Sequence, residues 1–263
     1  MTKVHGSALV DPGADIDDDV EIGPFAVIGP GVKIGGGSKI GAHVVIAGDT
    51  TLGRDNNVSP FCCLGGPPQD KKFAGEDTRL VIGDRNTIRE YCFFNPGTIQ
   101  DLGVTTIGDD NWIMGYVHVA HDCVIGNQTV IANATQLAGH VHLGDYAILG
   151  GLTGVHQFVK IGAHVMSGAH SYLSQDVPPY VLCSGAPAVP HGVNTEGLKR
   201  RGFDEAAVAA VRQAYRLLYR QKLSFEDARA AISEFGKTGA PEAQAAVAVF
   251  SNFLANATRG VIR

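Results

Sequence analysis

Ile22-Gly23-Pro24-Phe25-Ala26-Val27-Ile28-Gly29-Pro30-Gly31-Val32-Lys33-Ile34-Gly35 repeats every six residues: an aliphatic, glycine after it, and a small or β-branched residue four places on. Followed in both directions, the same phase runs Val4, Val10, Ile16, Ile22, Ile28, Ile34, Ile40, Ile46, Leu52, Val58 and Leu64, eleven aliphatics in succession. A period of six is neither the 2 of a strand nor the 3.6 of a helix. It is the period of a parallel β-helix, in which three hexapeptides close one coil and every aliphatic points inward. Such a solenoid draws its stability from stacking, each coil touching mainly its neighbours.

The phase lapses twice. After Leu64, the stretch from Gly65 to Thr78 brings Pro67, Pro68 and a run of charges where a coil needs aliphatics. Ile82 lies 18 residues after Leu64 and is followed in register by Ile88 and Phe94. One coil's worth of chain, about residues 65–80, is therefore expected to be extruded as a loop, and loops on rigid scaffolds are where binding groups concentrate. The second lapse, Asn95 to Thr106, shifts the phase by one. The repeat then runs Ile107, Ile113, Val119, Ile125, Ile131, Leu137, Leu143, Leu149, Val155 and Ile161; Ser167 interrupts it, Leu173 restores it and Pro178-Pro179 ends the regular pattern.

From Glu196 the pattern turns helical. Asp204 reads as the N-cap of a helix over Glu205–Gln221, with Val208, Val211, Tyr215, Leu218 and Tyr219 on one face. Ser224 opens a second helix ending near Gly236, and Pro241 a third running to about Thr258. The expected division is a β-helix over residues 1–190 and a helical domain over 191–263, an all-β solenoid plus α.

Composition narrows the classes of function. Hydrophobic residues make up 44% of the 263-residue chain, yet aromatics only 7%, and there are 34 glycines. That mixture suits short aliphatic strands joined by tight turns. A net charge of −5 speaks against nucleic acid as the main partner. No apolar run approaches the roughly 18 residues of a membrane span. The start, Met1-Thr2-Lys3-Val4-His5-Gly6, has no basic segment followed by an apolar one, so a cytoplasmic protein is expected. The five cysteines form no CxxC pair and read as buried thiols of a reducing compartment. Charge is segregated: residues 196–223 hold seven Lys/Arg against three acids, whereas the first 22 hold six acids against one Lys. The basic end suits an acidic partner or a phosphate.

The chemistry-bearing stretch is Val117-His118-Val119-Ala120-His121-Asp122-Cys123-Val124-Ile125-Gly126. With 18 residues per coil, positions 18 apart stack about 4.8 Å apart. His121 then lies beneath Gly139 and Asp122 beneath His140, with His118 and His156 on the same stretch of wall. An imidazole is suited to taking a proton from a hydroxyl, and a glycine lets a ligand approach its N–H, a suitable oxyanion donor. Whether Asp122 orients His121 depends on the backbone: on an extended strand adjacent side chains diverge, and a turn would bring them together. The remaining histidines, His5, His43, His142, His164, His170 and His191, read as surface residues.

These residues resemble the bacterial acyl-[acyl-carrier-protein]–UDP-N-acetylglucosamine O-acyltransferases over essentially the whole chain. The motifs that carry the resemblance are Gln69-Asp70 with Lys72 through Glu76, Ile88-Arg89-Glu90, Ala120-His121-Asp122-Cys123, Leu137-Ala138-Gly139-His140-Val141, Val155-His156-Gln157-Phe158, Asp176-Val177-Pro178-Pro179-Tyr180, Glu196 through Phe203, and Thr258 through Arg263. The resemblance implies a left-handed parallel β-helix, a homotrimer with sites between subunits, and the first step of lipid A synthesis. It implies His121 as general base toward the sugar 3-hydroxyl, Gly139 N–H as oxyanion donor, and Gln69, Asp70, His118, His140 and Gln157 around sugar and acyl groups. Lys72 would lie near the phosphates, His156 near the acyl-chain entrance, and Asn194, Glu196 and Arg200 or Arg201 at the nucleotide. The basic helices would dock acyl carrier protein, whose phosphopantetheine delivers the acyl group, so that neither metal nor dissociable cofactor is needed.

The chain departs from the family pattern twice. Asn95-Pro96-Gly97-Thr98 stands where members usually show His-Arg-Gly-Thr, and Gly168-Ala169, followed by His170, where an acyl-chain ruler often has Gly-Gly. A methyl at Ala169 would shorten the groove. Other classes stay open on the residues alone: a sister N-acyltransferase (disfavoured, since the repeats begin at Val4), a non-enzymatic scaffold or sugar-binding solenoid, and a zinc-binding trimer using the His118-x-x-His121 spacing.

Overall fold

The protein, seen in a computed structural model that describes residues 3–263, is a three-sided parallel β-helix closed at one end by four helices. Most rungs are strands of two residues, such as Val27–Ile28 and His118–Val119, the first residue outward and the second inward. The inward aliphatics form one continuous core: Ile22, Ile28, Ile34, Ile40, Ile46, Leu52 and their successors are nearly inaccessible to solvent. Burying each such side chain contributes about 1.5–3 kcal/mol, which is why the six-residue period holds along the rod. Among the described residues the strands align into three sheets of 11, 9 and 8 members. Pairing is parallel until the final hairpin, with partners 18 residues apart, as Val27↔Val45 and His118↔Gln136.

Most corners are tight turns whose third residue after the inward aliphatic adopts a left-handed backbone, including Phe25, Asp122, His140 and Phe158. Such a backbone costs a non-glycine residue roughly 1–2 kcal/mol; the hydrogen bonds and stacking between coils offset it. At one corner Phe25, His43, Phe61, Tyr91 and Tyr116 stack with centroids 4.9–5.1 Å apart, one ring per coil. At another, the buried Asn56, Asn86 and Asn111 pass hydrogen bonds from coil to coil.

Both lapses in phase are excursions of the chain between rungs that pair normally. Leu52 pairs with Ile82, 30 residues on instead of 18, so the first excursion holds twelve extra residues. It is two-thirds of a coil, not the whole coil that spacing suggested, because six of the 18 residues between Leu64 and Ile82 still build the corner and strand. Ile82 in turn pairs with Ile107, 25 on, so the second excursion holds seven extra residues and moves the phase by one, as read from the sequence.

Beyond the prolines the rod gains another rung, Val181–Ser184, whose partner Val189–Val193 returns antiparallel. Period-six reading does not reach this hairpin, since it lacks the hexad. The helices α1 (Thr195–Arg200), α2 (Glu205–Tyr219), α3 (Phe225–Phe235) and α4 (Pro241–Ala255) follow. Asp204 and Ser224 cap α2 and α3 through side-chain oxygens that accept from Ala207 N–H (2.7 Å) and Asp227 N–H (3.1 Å). The turn to helix read at Glu196 falls within α1, but at fewer than two turns α1 leaves no periodic signal to mark it as a separate helix. Tyr215 and Ile262 enter the core of the rod itself. Buried Asp176 ties the following segment down, accepting from the N–H groups of Lys160, Thr258 and Arg259.

Candidate active site

One corner brings Ala120-His121-Asp122, Ala138-Gly139-His140 and His156-Gln157-Phe158 onto successive coils. At Asp122 the backbone is left-handed, φ 58°. The turn folds two adjacent side chains together, so that Asp122 Oδ2 lies 2.9 Å from His121 Nδ1. Asp122 is fully buried, and its carboxylate also accepts from Thr98 N–H (3.0 and 3.1 Å), Thr98 Oγ1–H (2.6 Å) and Gly103 N–H (3.2 Å). A carboxylate only accepts here, so Nδ1 of His121 carries its proton and Nε2 is left with the lone pair. The turn that strand logic left open is present.

Gly139 lies over the His121 ring. A β-carbon there would come 2.6 Å from Cε1 and 2.7 Å from Nε2, so only glycine fits without moving the imidazole. Among the described residues Gly139 N–H donates to no partner. His140, next in the stack, meets His121 edge-on (centroids 4.9 Å, 88°) and stacks on Phe158 at 4.2 Å.

These groups open into a cavity of about 840 Å³. The first excursion contributes Gln69, Asp70 and Lys72; the second contributes Thr98 and Asp101; the rod contributes His121, His140, Gln157 and Phe158. Asp70 accepts from Lys72 N–H at 3.0 Å, which tightens the turn presenting both side chains. A neighbouring groove of about 470 Å³ is lined by His118, His156, Gly154 and Tyr172, and Gln157 lines both spaces. His156 Nδ1 lies 3.1 Å from the carbonyl of Gln157.

Asn95, where the family pattern has histidine, is fully buried. Its Nδ2 donates to the carbonyls of Gly66 (2.9 Å) and Pro67 (2.8 Å), and its Oδ1 lies 3.0 Å from His118 Nε2. Both carbonyls can only accept, which fixes the amide orientation and puts the proton on His118 Nε2. Burial, then the neighbouring His121, holds His118 below the ordinary imidazole value.

The four residues assigned to a nucleotide line neither space in the single chain. Asn194 is buried, its Oδ1 capping α1 at Gly197 N–H (3.1 Å) and its Nδ2 donating to His164 O (3.0 Å). Glu196 and Arg200 are exposed, Glu196 lying 3.8 Å from Lys199. Arg201 stacks on Tyr146 at 4.5 Å and donates to Gln128 Oε1 at 2.9 Å. Gly168, Ala169 and His170 form the corner just before Tyr172, with Ala169 and His170 exposed. His164 is not the surface residue expected: it is half-buried, stacked against Tyr146 and Tyr180. Of the remaining polar site groups, Asp101 carried no sequence signal. Nothing near it in the chain marks it as a neighbour of His140, 39 residues away.

His121, Asp122 and His140 each place a ligand atom within 4.8 Å of the others, close enough to share a cation. Both Asp122 oxygens are already saturated by Thr98, Gly103 and His121. The carboxylate is committed to hydrogen bonds that hold the His121 ring and the second excursion.

A β-helix of hexapeptides with an oriented imidazole at its corner defines a transferase of the hexapeptide-repeat class, and the bacterial transferase hexapeptide model (six repeats) matches residues 105–139. The model described as UDP N-acetylglucosamine O-acyltransferase, domain 2, matches residues 176–262. An acyl-[acyl-carrier-protein]–UDP-N-acetylglucosamine O-acyltransferase of Verminephrobacter eiseniae is 59% identical over 263 residues, covering 100% of both chains. The solved UDP-N-acetylglucosamine acyltransferase of Francisella novicida superposes with TM-score 0.95 at 38% identity, covering 99% of this chain and 94% of that one. The UDP-N-acetylglucosamine O-acyltransferase of Moraxella catarrhalis does so with TM-score 0.95 at 39% identity and 99% coverage of both. The chain belongs to the acyl-[acyl-carrier-protein]–UDP-N-acetylglucosamine O-acyltransferase family, and its solenoid is the left-handed parallel β-helix.

Proposed function

We propose that the chain transfers a 3-hydroxyacyl group from acyl carrier protein to the 3-hydroxyl of UDP-N-acetylglucosamine, the first step of lipid A biosynthesis, with His121 as general base. The observation that carries the mechanism is the His121–Asp122 contact of 2.9 Å in the cavity wall. Nε2 takes the proton from the sugar hydroxyl as its oxygen attacks the thioester carbon. Asp122 stabilises the imidazolium that forms. The carbonyl oxygen becomes an oxyanion beside Gly139 N–H, a kind of donor whose removal typically costs about 10²–10³ in rate. When the tetrahedral intermediate collapses, the C–S bond breaks and the departing thiolate recovers the proton from His121. Every atom and proton is accounted for without metal or cofactor beyond the phosphopantetheine arm that carries the acyl group.

Asp70, Lys72, His140 and Gln157 surround the sugar and its phosphates in this reading, and the groove of His118 and His156 takes the acyl chain toward Gly168, Ala169 and His170. The nucleotide residues Asn194, Glu196, Arg200 and Arg201 lie off the cavity, so they serve the site of an adjacent subunit in a homotrimer. The exposed ring stack from Phe25 to Tyr116 is an apolar face suited to that association. The basic helices dock the acidic carrier protein. Among the described residues no helix is long and apolar enough to cross a membrane, and the five free thiols fit a reducing cytoplasm.

The test is mass analysis of the product formed from UDP-N-acetylglucosamine and a mixed pool of acyl carrier thioesters, with wild type and His121→Ala. The expected product is the 3-O-acyl sugar nucleotide. His121→Ala should lose about 10²–10⁴ in kcat while still binding the sugar nucleotide; an N-acylated product or an unimpaired variant would refute the assignment.

A further inference from the structure

Asp101, on the second excursion, reaches back to the rod: its Oδ2 lies 2.5 Å from His140 Nδ1. The cavity therefore holds two carboxylate–imidazole pairs, Asp122–His121 and Asp101–His140, whose rings meet edge-on at 4.9 Å. The two pairs are crossed. Asp122, on the rod, grips Thr98 and Gly103 of the excursion, and Asp101, on the excursion between them, grips His140 of the rod. A seven-residue insertion is thus fastened to the His140 imidazole and to the carboxylate that holds the His121 imidazole.

We propose that Asp101 is a positioning residue that acts through His140. The inference rests on reading this cavity as the acyl-transfer site. A carboxylate facing Nδ1 selects the tautomer with its proton there, so the neutral ring offers Nε2 as a hydrogen-bond acceptor. Phe158 stacked on one face, at 4.2 Å and 8° between planes, restricts the ring's tilt. Asp101 fixes its remaining rotation about χ2. Held in this way, His140 accepts from a substrate hydroxyl or amide N–H; without Asp101 the ring can flip or donate from Nε2 instead. The side chain of Asp101 is 39% exposed, against 12% for His140. Solvent therefore competes for the carboxylate, and the effect of losing it is graded rather than absolute.

Steady-state kinetics of the full-length protein test this with Asp101→Ala, Asp101→Asn, His140→Ala and the double variant Asp101→Ala/His140→Ala. Asp101→Ala should lower kcat/KM for UDP-N-acetylglucosamine about tenfold. Asp101→Asn, whose amide oxygen still accepts from Nδ1–H, should recover most of that loss. In the His140→Ala background, Asp101→Ala should add nothing, because the residue it acts through is gone. Nitrogen NMR of histidine-labelled protein should show His140 as the Nδ1–H tautomer in wild type and mixed in Asp101→Ala, with His121 unchanged. Wild-type kinetics in Asp101→Ala, the same loss with and without His140, or an unaltered His140 tautomer would each overturn the proposal. Full activity of His121→Ala would instead sink the acyl-transfer reading, while the NMR comparison would still decide the Asp101–His140 pair.

Discussion

Asn95 Oδ1 lies 3.0 Å from His118 Nε2, while the same side chain donates from Nδ2 to the carbonyls of Gly66 and Pro67. One buried amide fastens the excursion that carries Gln69, Asp70 and Lys72 to a histidine of the groove beside the cavity. A histidine, with a single donor in its neutral form, could not make both loop contacts and accept from His118 as well.

Asn95→Ala would leave the buried Gly66 carbonyl without a partner, at about 1–3 kcal/mol, and would strip a contact from the part-buried Pro67 carbonyl and His118 ring, where water can partly substitute. The expected result is a loss of roughly 2–4 kcal/mol in stability and faster proteolysis around residues 66–78, read by chemical denaturation and limited digestion. Denaturation and cleavage rates equal to wild type would contradict the clamp.

Asp122→Asn keeps the shape of the dyad, but its NH₂ cannot accept from His121 Nδ1–H in the present orientation. If the amide turns to accept there, it points its donor group at Thr98 and Gly103. Expected is a fall of about 10²–10⁴ in kcat with KM much less affected, measured with saturating acyl carrier thioester.

Gly139→Ala places a methyl within 2.6–2.7 Å of the His121 ring. The ring must move, so activity should fall at least about tenfold, because misplacement of a catalytic group by 1 Å can cost on the order of 10²-fold. The thermal midpoint should shift little, since the nearest atoms the methyl meets all belong to the His121 side chain and none to the rod's core. A crystal structure of the variant with His121 unmoved would refute this account.

His164 is driven from the ordinary 6.5 down to about 4, first by burial and then by Arg201, with Asp145 opposing. Its folded pKa lies below the unfolded one, so the neutral form is favoured on folding. The associated stability is present above about 6.5 and is lost as pH falls toward 4. His164→Phe keeps the ring between Tyr146 and Tyr180 and removes the titration. The denaturation midpoints of the two proteins should differ increasingly, in favour of the variant, as pH is lowered from 7 to about 4.

Ala169→Gly should shift preference toward longer 3-hydroxyacyl chains, at roughly 1–3 kcal/mol per methylene discriminated. Competition between acyl carrier thioesters of different length reads this directly, and unchanged product ratios would remove Ala169 from the ruler.

The rod was legible in the chain because its rule is local: each inward Ile, Val or Leu is buried by the rung directly above and below, so the pattern repeats wherever the coil does. The stacking of His121 under Gly139 followed from the same arithmetic, and the helix starts at Asp204 and Ser224 were legible for a second local reason, since a capping side chain acts within one turn. What lay beyond reading depends on contacts between distant parts of the chain. The left-handed backbone at Asp122 belongs to the repeating corner, but its carboxylate is held by Thr98 and Gly103 of the second excursion; Asp101 finds His140 across 39 residues; Asn95 spans 28 and 29 residues to Pro67 and Gly66. Insertions carry no repeat, so their spacing is silent about where they fold back. Periodic burial specifies a scaffold from sequence alone, whereas the orientation of the His121 and His140 imidazoles is set by irregular segments whose partners exist only once the scaffold has formed.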